Sequence, residues 1–397
     1  MGASANGLPR TADVVVIGGG IVGCATAFFL SQSGRSPVLL ERADALATAT
    51  TAASAHCIRA QFDDPVNIAM MRESLDIFAD FPGYLGLPAA DADIGLTRQG
   101  YLFASTNPAQ IASFADRVAR QRRMGLTDGE LIDGEEARRR FPFLSPEIVA
   151  ATFRAGDGWL DGRRAAALFA QASGAPVHLG VTVKEIEQTS GRVTGVLTDS
   201  GRIATETVVL ATGPFAGELA GEALPISLLR RNRVIVAASP VIPAYAPLVI
   251  DADTGAHWRP HLGGALLAWG QPEAPSAPVF PVAPDPGFPD LVLRDPRGVG
   301  RLSPFWEALA ATLTPDTIDL AAGQYTMTPD HKPLIGPASE TAGLWLHTGY
   351  SGHGIMGSPS GARLLADLMA GGAEPLHPFH PARFAGGATL AAEALVL

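Results

Sequence analysis

The sequence predicts an α/β fold whose main lobe is a doubly wound, largely parallel sheet, and three neighbouring stretches support this prediction. The apolar run at residues 13–17 ends at glycines, as a strand buried on both faces does. An alanine-rich helical stretch follows from about Ile21 to Ser33, where Gly34 is placed to end it. Residues 37–41 then form a second strand, and this strand–turn–helix–strand order is how a doubly wound sheet begins.

Two later segments are expected to belong to the same lobe. Residues 177–210 hold short β-rich runs, and the last of them is a buried strand that enters a tight turn at residues 208–214. Residues 344–370 predict a strand, a glycine-rich loop and a helix. The stretches between these segments are richer in charge, proline and aromatic residues, and residues 272–290 predict a surface loop. We therefore expect one lobe built from three pieces and a second lobe built from two insertions.

The composition argues against several classes of function. The chain has 397 residues, of which 47% are hydrophobic, and its net charge of −10 argues against a nucleic-acid surface or an anionic membrane patch. No apolar run approaches the length of a membrane span, and the N-terminus lacks the apolar core of a signal peptide. The two cysteines, Cys24 and Cys57, do not make a disulfide framework, so we expect a cytoplasmic protein.

The glycine turn after the first strand predicts a dinucleotide site. Gly18-Gly19-Gly20-Ile21-Val22-Gly23 fits the pattern G-x-G-x-x-G, in which the first glycine allows a tight turn and the second admits a pyrophosphate. The third glycine lets the helix and the strand pack closely. Glu41 ends the next strand, where a carboxylate can bind both ribose hydroxyls. The nucleotide could be NAD or FAD. We find no second such motif, so the electrons of an FAD here would come straight from the substrate.

A second glycine loop lies near the C-terminus, in the stretch HTGYSGHGIMGSP at residues 347–359. Gly352-His353-Gly354 precedes an apolar helical pattern that ends at Gly371-Gly372. Ser358 is placed as the N-cap of that helix, and Pro359 suits its first position. The positive N-terminus of the helix would then face the glycine loop.

Several motifs together resemble the FAD-dependent amine and amino-acid oxidoreductases of the D-amino-acid oxidase/sarcosine oxidase superfamily. The resemblance spans roughly residues 12–378. Within the superfamily the motifs resemble the branch that holds sarcosine oxidase and dehydrogenase β-type chains, proline dehydrogenase β chains and dimethylglycine dehydrogenase-like proteins. The motifs that carry it are VVVIGGGIVGCATAFFL, IRAQFDDPVNI, DGWLDG, ATGPFA, GQYTMTPDHKPLIG and TGYSGHGIMGSP. The resemblance implies a Rossmann-like FAD-binding domain into which a mixed-sheet substrate domain is inserted. The FAD-binding domain would comprise residues 11–84, 152–224 and 323–380, and the substrate domain residues 85–151 and 225–322.

The resemblance also implies which residues lie against FAD. They are Gly18, Gly20, Ile21, Val22, Gly23, Glu41, Arg42, Ala53, Ser54, His56, Val183, Ala211, Thr212, Gly213, Gly352, His353, Gly354, Ile355 and Met356. We expect noncovalent FAD, because Gly323 stands where monomeric sarcosine oxidases carry the cysteine that attaches it. Dimethylglycine dehydrogenase-like proteins attach FAD through a histidine whose local position resembles His56, but we do not expect that bond here. The backbone N–H groups of the second glycine loop would stabilise negative charge at the pyrimidine end of the flavin.

Five residues are candidates for substrate binding or catalysis: Arg59, Trp258, Arg259, Tyr325 and His353. The resemblance implies that Arg59 binds a substrate carboxylate, for which a guanidinium fork is well suited; a surface arginine or a phosphate contact is the alternative. Trp258, Arg259 and Tyr325 would line the pocket, or else pack in the core or form an interdomain ion pair. His353 would lie next to the flavin, or else satisfy backbone carbonyls. No Ser-His-Asp or metal-ligand pattern competes with these candidates.

The predicted function is FAD-dependent oxidation of the C–N bond of an amino acid or N-alkyl amino acid. The resemblance implies hydride transfer to flavin N5 and an imine product that hydrolyses. Related oxidases carry lysines at the positions of Ala268 and Met356, so we favour a dehydrogenase that passes electrons to another acceptor. Three alternatives stay open: an H₂O₂-producing oxidase, a flavin-binding subunit of a larger complex, and an NAD-dependent dehydrogenase. The expected partners are a small-molecule amine or amino acid and an electron acceptor or partner subunit.

Overall fold

The structure is a computed structural model that describes residues 7–371, 377–387 and 392–393. The strands within these residues are β1 Val14–Ile17, β2 Pro37–Leu40, β3 Cys57–Ile58, β4 Tyr101–Ser105, β5 Glu130–Asp133, β6 Ala150–Arg154, β7 Gly158–Trp159, β8 Val177–His178, β9 Val183–Thr189, β10 Arg192–Thr198, β11 Gly201–Ala204, β12 Val208–Leu210, β13 Ser227–Val236, β14 Leu248–Asp251, β15 His257–His261, β16 Gly264–Ala268, β17 Ile318–Met327, β18 Leu334–Pro337 and β19 Leu344–Thr348. The helices are α1 Ile21–Gln32, α2 Thr50–Ala53, α3 Pro65–Ala79, α4 Phe81–Leu85, α5 Gln110–Arg123, α6 Gly134–Arg140, α7 Gly162–Ser173, α8 Ala216–Leu219, α9 Phe288–Arg294, α10 Phe305–Ala310 and α11 Gly354–Met369.

The first sheet confirms the predicted doubly wound lobe. Its strand order is β18-β19-β12-β1-β2-β8, and all pairs are parallel except the antiparallel edge pair β18–β19. Helices α1, α3, α7 and α11 cover one face, and the antiparallel β9–β11 sheet covers the other. Because β1 is buried on both faces, it is apolar at every position rather than alternating.

Helix α1 lies at the centre of the helical layer, and this explains its alanine-rich sequence. It is apolar all round because it contacts α7 and α11 as well as the sheet. Small residues keep these neighbours close. Cys24, in its second turn, is fully buried, and burial raises the pKa of its thiol. Cys24 and Cys57 are both free thiols.

The second large sheet has eight strands in the order β17-β13-β16-β15-β14-β4-β6-β5, and it is mixed, as predicted. All its pairs are antiparallel except the parallel pair of β14 and β4. Helices α9 and α10 pack on one face, and the other face looks towards the first lobe. Strands β6 and β17 extend across two of the boundaries that we expected between the domains, at residues 151/152 and 322/323. The division into domains stays a proposal.

The C-terminal helix begins five residues earlier than the sequence indicated. Helix α11 starts at Gly354 with His353 as its N-cap, so the expectation that Ser358 is the N-cap and Pro359 the first helical residue was wrong. Proline removes the N–H that would bind the carbonyl of Ile355. The Ser358 hydroxyl replaces that donor, since its Oγ donates to the Ile355 oxygen at 3.3 Å. The start of the helix therefore lies directly beside the glycine loop.

The end of the same helix agrees with the predicted pattern as far as it is described. Helix α11 ends at Met369, and Gly371 has a φ of 78°, which a glycine adopts at low cost. Gly372, the second residue of the predicted stop, lies outside the described residues. None of the described helices combines the length and the hydropathy that crossing a bilayer requires.

A buried histidine joins the parts of the first lobe. His347, on β19, contacts the Thr26 hydroxyl of α1 through Nδ1 at 2.7 Å and the Tyr350 hydroxyl through Nε2 at 2.6 Å. Thr26 in turn donates to the carbonyl of Val22 at 2.8 Å, so it accepts from His347, and Tyr350 donates to Nε2. Burial lowers the pKa of His347 to about 3, which keeps the ring neutral.

We expect His347 to make the fold less stable in acid. The unfolded chain takes up a proton on this histidine below about pH 6.5, whereas the folded chain does not until about pH 3. Stability is therefore lost as the pH falls, by about 1.4 kcal/mol between about pH 7.5 and about pH 5.5 for this residue alone. In urea unfolding, His347→Gln should be less stable at the higher pH but should lose less stability on acidification. An equal loss in both proteins would contradict this expectation.

Candidate functional site

A cavity of about 320 Å³ lies between the first sheet and the inner face of the second. Its wall comes from the turn after β1, the segment around α2, the turn after β12, strand β17 and the loop before α11. Most of the residues expected at the cofactor or the substrate line it: Gly18, Gly20, Ile21, Val22, Glu41, Arg42, Ser54, His56, Arg59, Val183, Ala211, Thr212, Gly213, Tyr325, Gly352, His353, Gly354, Ile355 and Met356. The remaining four expected residues do not line this cavity; they are Gly23, Ala53, Trp258 and Arg259.

The glycine turn is a backbone cradle without room for side chains. Gly18 has a φ of 109°, and a Cβ on it would lie 2.5 Å from the carbonyl oxygen of Ala211. A Cβ on Gly23 would overlap the carbonyl oxygen of Gly18, so only glycine fits at this position. Strand β1, helix α1 and the end of β12 therefore meet backbone to backbone, and the start of α1 faces the cavity.

Glu41 is held in place by the glycine turn. Its Oε2 accepts the N–H of Gly19 at 2.6 Å, and its Oε1 accepts the N–H of Ala43 at 2.8 Å. Each carboxylate oxygen keeps a second lone pair for a further donor. Two hydroxyl groups of a ribose fit this arrangement, because the carboxylate is oriented before any ligand arrives.

Arg42 lines the same wall of the cavity, and its guanidinium lies against two aromatic rings. Its guanidinium carbon lies 3.8 Å from the ring centroid of Phe215 and 5.2 Å from that of Phe280. Phe280 belongs to the proline-rich loop that the sequence predicted, so this loop reaches the rim of the cavity.

The segment around α2 supplies residues that the sequence analysis missed. Thr48, Ala49, Thr50 and Thr51 line the cavity, and Thr51 Oγ1 accepts the N–H of Ile21 at 3.2 Å, at the start of α1. Thr50 Oγ1 donates to the carbonyl of Gln324 on β17 at 3.2 Å. The signal for this segment was its run of alanine and threonine directly after β2, because small side chains allow a backbone to approach a ligand closely.

His56 is neutral, and both its ring nitrogens are occupied. The residue has a φ of 57°, its Nε2 donates to the carbonyl of Thr51 at 2.9 Å, and its Nδ1 accepts the N–H of Gly162 at 3.3 Å. Burial, together with the positive charges of Arg259 and Arg233, lowers the pKa of His56 to about 4. Neither nitrogen is available for a covalent bond to a cofactor, which fits noncovalent binding.

The second glycine loop packs against Tyr325. Gly352 has a φ of 90°, and a Cβ on it would lie 2.5 Å from Cε2 of the Tyr325 ring. The neighbouring His353 places its ring edge-on to Phe62, with the ring centroids 4.8 Å apart. The first N–H groups of α11, which begins at Gly354, lie at the cavity wall and lack partners within the helix. This end of the cavity can therefore stabilise negative charge.

Arg59 lies in the wall as a buried cation. The side chain is 1% exposed, and its guanidinium carbon lies 3.9 Å from the ring centroid of Phe62. One of its N–H groups donates to the carbonyl of Gln61. Asp157 holds this segment by accepting the N–H of Ala60 at 2.9 Å and the Gln61 side chain at 3.0 Å. Burial lowers the pKa of Arg59, and the negative charges of Glu393 and Asp157 oppose this shift.

Trp258 does not line the cavity, and its predicted place in the pocket wall needs correction. Trp258 and Arg259 belong to strand β15, so their side chains alternate between the two faces of the sheet. Trp258 points into the core behind the sheet, where its indole N–H donates to Ser303 Oγ at 3.0 Å and its ring packs against Trp306.

The neighbours of Trp258 on β15 face the first lobe. Arg259 donates from Nε and Nη2 to the carbonyl of Ala55 at 3.1 and 2.8 Å, so it supports the segment of His56 and does not enter the cavity wall. Arg259 was expected to line the pocket, but it binds this carbonyl instead. His257, which the sequence analysis did not select, does line the cavity. Its Nδ1 donates to the carbonyl of Gly255 at 2.9 Å, and burial lowers its pKa, so it is neutral.

These features define a dinucleotide-binding protein in which the cavity continues from a glycine turn to the face of a second sheet. The model of the FAD dependent oxidoreductase (DAO) family matches residues 13–368, and the chain belongs to that family. Its dinucleotide is therefore FAD, and the NAD-dependent alternative is wrong. The glycine cradle, the oriented Glu41 and the start of α11 fit this cofactor.

Similar proteins cover nearly the whole chain. The FAD-dependent oxidoreductase domain-containing protein 1 of Xenopus laevis is 29% identical over 92% of this chain and 80% of its own length. Mitochondrial sarcosine dehydrogenase of Mus musculus is 27% identical over 88% of this chain, which spans only 38% of that larger protein. The crystal structure of L-proline dehydrogenase from P. horikoshii has a TM-score of 0.82 and 26% identity, and the match covers 95% of this chain and 98% of that one.

We expect Gly352→Ala to weaken FAD binding and Gly354→Ala to leave it nearly unchanged. Alanine at Gly352 would be strained by its φ and would push against the Tyr325 ring, at a cost of about 1–3 kcal/mol. At Gly354 the nearest atom to a new Cβ is 3.7 Å away. The measurement is the flavin-to-protein absorbance ratio after dialysis, and equal retention by the two variants would contradict the proposed contact.

Proposed function

We propose that this protein oxidises the C–N bond of an amino acid or N-alkyl amino acid, and that the resulting imine hydrolyses. The observation that carries the proposal is the buried guanidinium of Arg59 in the wall of a cavity that also holds the FAD-binding turn. The names of similar proteins, a sarcosine dehydrogenase and an L-proline dehydrogenase, support a substrate of this class. Bound FAD would supply the acceptor for a hydride from the carbon beside the nitrogen.

In this proposal Arg59 fixes the substrate through its carboxylate. Two parallel hydrogen bonds from the guanidinium orient the substrate, and the dry surroundings of Arg59 strengthen them. Tyr101 and Tyr325 line the same cavity, and burial raises the pKa of both, so they stay protonated and uncharged. His56 and His257 are neutral as well. Positioning and exclusion of water, rather than a strong base, then account for catalysis.

In this proposal the N-terminus of α11 stabilises negative charge and does not bind the substrate carboxylate. Its unpaired N–H groups and positive helix end lie at the cavity wall, where they stabilise negative charge that accumulates during reduction. His353 positions this helix start as its N-cap residue, because its carbonyl accepts the N–H of Gly357 at 2.8 Å. His353 is therefore a positioning residue.

A dehydrogenase is favoured over an oxidase by the location of the lysines. The chain has only two, Lys184 and Lys332, and neither lines the cavity. Lys332 pairs with Asp64 at 2.7 Å. No lysine therefore supplies the ammonium that would favour charge transfer to oxygen. An electron acceptor other than oxygen completes the proposal, and the two free thiols fit a cytoplasmic location.

We expect amino acids or N-alkyl amino acids to bleach the flavin absorbance of the purified holoenzyme without oxygen. A panel of sarcosine, dimethylglycine, proline, glycine, N-carboxyalkyl amino acids and primary D- and L-amino acids tests this, with the corresponding N-alkyl amines as controls that lack the carboxylate. Bleaching by the amines alone, or by no member of the panel, would overturn the proposal. Turnover of the single chain with an artificial acceptor would exclude a role as a noncatalytic flavin-binding subunit.

We expect Arg59→Gln to raise KM for the best carboxylate substrate by at least about tenfold, since a charge-assisted hydrogen bond contributes about 1.5–3 kcal/mol. Arg59→Lys keeps the charge but loses the two parallel bonds, so its KM should lie between those of the wild type and Arg59→Gln. Flavin content should be unchanged in both variants, which distinguishes lost substrate binding from lost structure. An unchanged KM in Arg59→Gln would contradict the assignment.

We expect the reduced enzyme to be reoxidised slowly by oxygen and faster by a quinone acceptor. Stopped-flow recovery of the flavin absorbance measures both rates on the same sample. Recovery in air that matches or exceeds the rate with the quinone would favour the H₂O₂-producing oxidase instead.

A further inference from the structure

A second, smaller cavity adjoins the first on the inner face of the eight-stranded sheet. It shares Thr50, Ser54, Ala55, His257 and Tyr325 with the larger cavity, so the two are neighbours in space. The smaller cavity is also lined by two cationic side chains of strand β13, Arg231 and Arg233, which do not line the larger one. Its volume is about 30 Å³. A water-sized atom needs about 10–15 Å³, so this space suits the two oxygens of a single carboxylate.

Successive side chains of β13 point to opposite faces of the sheet, and the ion pairing of its arginines differs between the two faces. Arg230, on the opposite face, donates from Nη2 to Glu273 at 2.8 Å. Arg231 and Arg233 face the first lobe, and among the described residues neither forms an ion pair with a carboxylate. The same face carries Arg259, which donates to the carbonyl groups of Ala55 and Pro260 and forms no ion pair with a carboxylate among the described residues. Asp319 on β17 offsets part of the charge of Arg233, but Arg259 opposes this effect, and among the described residues no carboxylate lies within ion-pair distance of Arg231 or Arg233. The inner face of the sheet therefore bears an excess of positive charge.

The hydrogen bonding of the two guanidinium groups is incomplete. Arg231 donates from Nη1 to the carbonyls of Arg230 and Gln271 at 3.0 and 3.2 Å, and Arg233 donates from Nη1 to the carbonyl of Ser54 at 3.2 Å. The Nε atom of each is buried without a partner among the described residues. A buried donor on a cation that lacks a partner is costly, and an anion in the adjoining cavity would remove that cost.

We propose that Arg231 and Arg233 form a second anion subsite, separate from Arg59, which takes a second carboxylate of the substrate. The inference rests on the proposed function and narrows it to amines that carry two carboxylates, such as an N-carboxyalkyl amino acid. Arg59 binds the carboxylate beside the reacting carbon, and the β13 pair binds the distal one. His257 and Tyr325 line both cavities, so such a substrate would extend from one cavity into the other beside these two residues.

The test uses unreactive ligands, so it does not depend on turnover. Succinate, glutarate and adipate are titrated into the FAD-loaded enzyme against butyrate, valerate and hexanoate, and binding is followed by the change in flavin absorbance and by the shift in Tm. At least one dicarboxylate should bind about tenfold or more tighter than its monocarboxylate match, the gain expected for one charge-assisted hydrogen bond. Arg231→Gln and Arg233→Gln should each reduce this preference.

Arg230→Gln is the matched control, because it removes an arginine from the other face of the same strand. It should leave the dicarboxylate preference unchanged. If a glutamine variant fails to fold, Arg231→Lys or Arg233→Lys keeps a positive charge and should retain part of the preference. Equal affinity of the wild type for both acids, or a preference that survives in the double glutamine variant, would overturn the subsite.

Two results distinguish the carboxylate subsite from a phosphonate site and from the proposed C–N oxidation. Tighter binding of 3-phosphonopropionate than of succinate would overturn the assignment to a carboxylate. A dicarboxylate preference that depends on Arg231 and Arg233 would support the subsite even if no amine bleached the flavin. In that case the proposed C–N oxidation fails and the anion subsite stands.

Discussion

The structure depends on one close approach, in which three backbone segments meet at the end of β1 with no side chain between them. The carbonyl of Ala211 would lie 2.5 Å from a Cβ at Gly18, and the carbonyl of Gly18 would overlap a Cβ at Gly23. Because α1 is drawn against the sheet at this point, its N-terminus opens on the cavity. The N–H of Gly19 is likewise placed to orient the carboxylate of Glu41. The cofactor cradle is thus a consequence of packing density in the sheet.

The parts of this site that the sequence could predict are those built from contiguous residues. The strand, turn and helix from residue 13 to 33 and the strand that follows were predicted correctly, since glycine spacing and apolar runs are local signals. The start of α11 was misjudged because Ser358 and Pro359 form a good helix-start signal by themselves. Only the structure shows that the Ser358 hydroxyl replaces the donor that Pro359 lacks, so that the helix can begin at Gly354.

Residues whose place depends on distant partners could not be predicted. Trp258 and His257 are adjacent in the sequence, and the pairing of β15 with β14 and β16 decides which of them faces the first lobe. Thr51 was overlooked because its role comes from contact with Ile21, thirty residues away. Arg231 and Arg233 lie in a run of three arginines and an asparagine that shows no preference for either face. Only the register of β13 shows that these two arginines face the first lobe and that Arg230 faces the other way.

The short helix α2 connects the two sheets mechanically. On one side Thr51 holds the start of α1, and on the other Thr50 binds the carbonyl of Gln324 while Ala53 packs against the bare Cα of Gly323 on β17. Helix α2 therefore links the start of α1 to strand β17 of the larger sheet, so a ligand that changes one of these contacts would bear on the other. Thermodynamic linkage then requires reciprocity: a substrate that tightens this contact raises the affinity for the cofactor by the same factor by which the cofactor raises the affinity for the substrate.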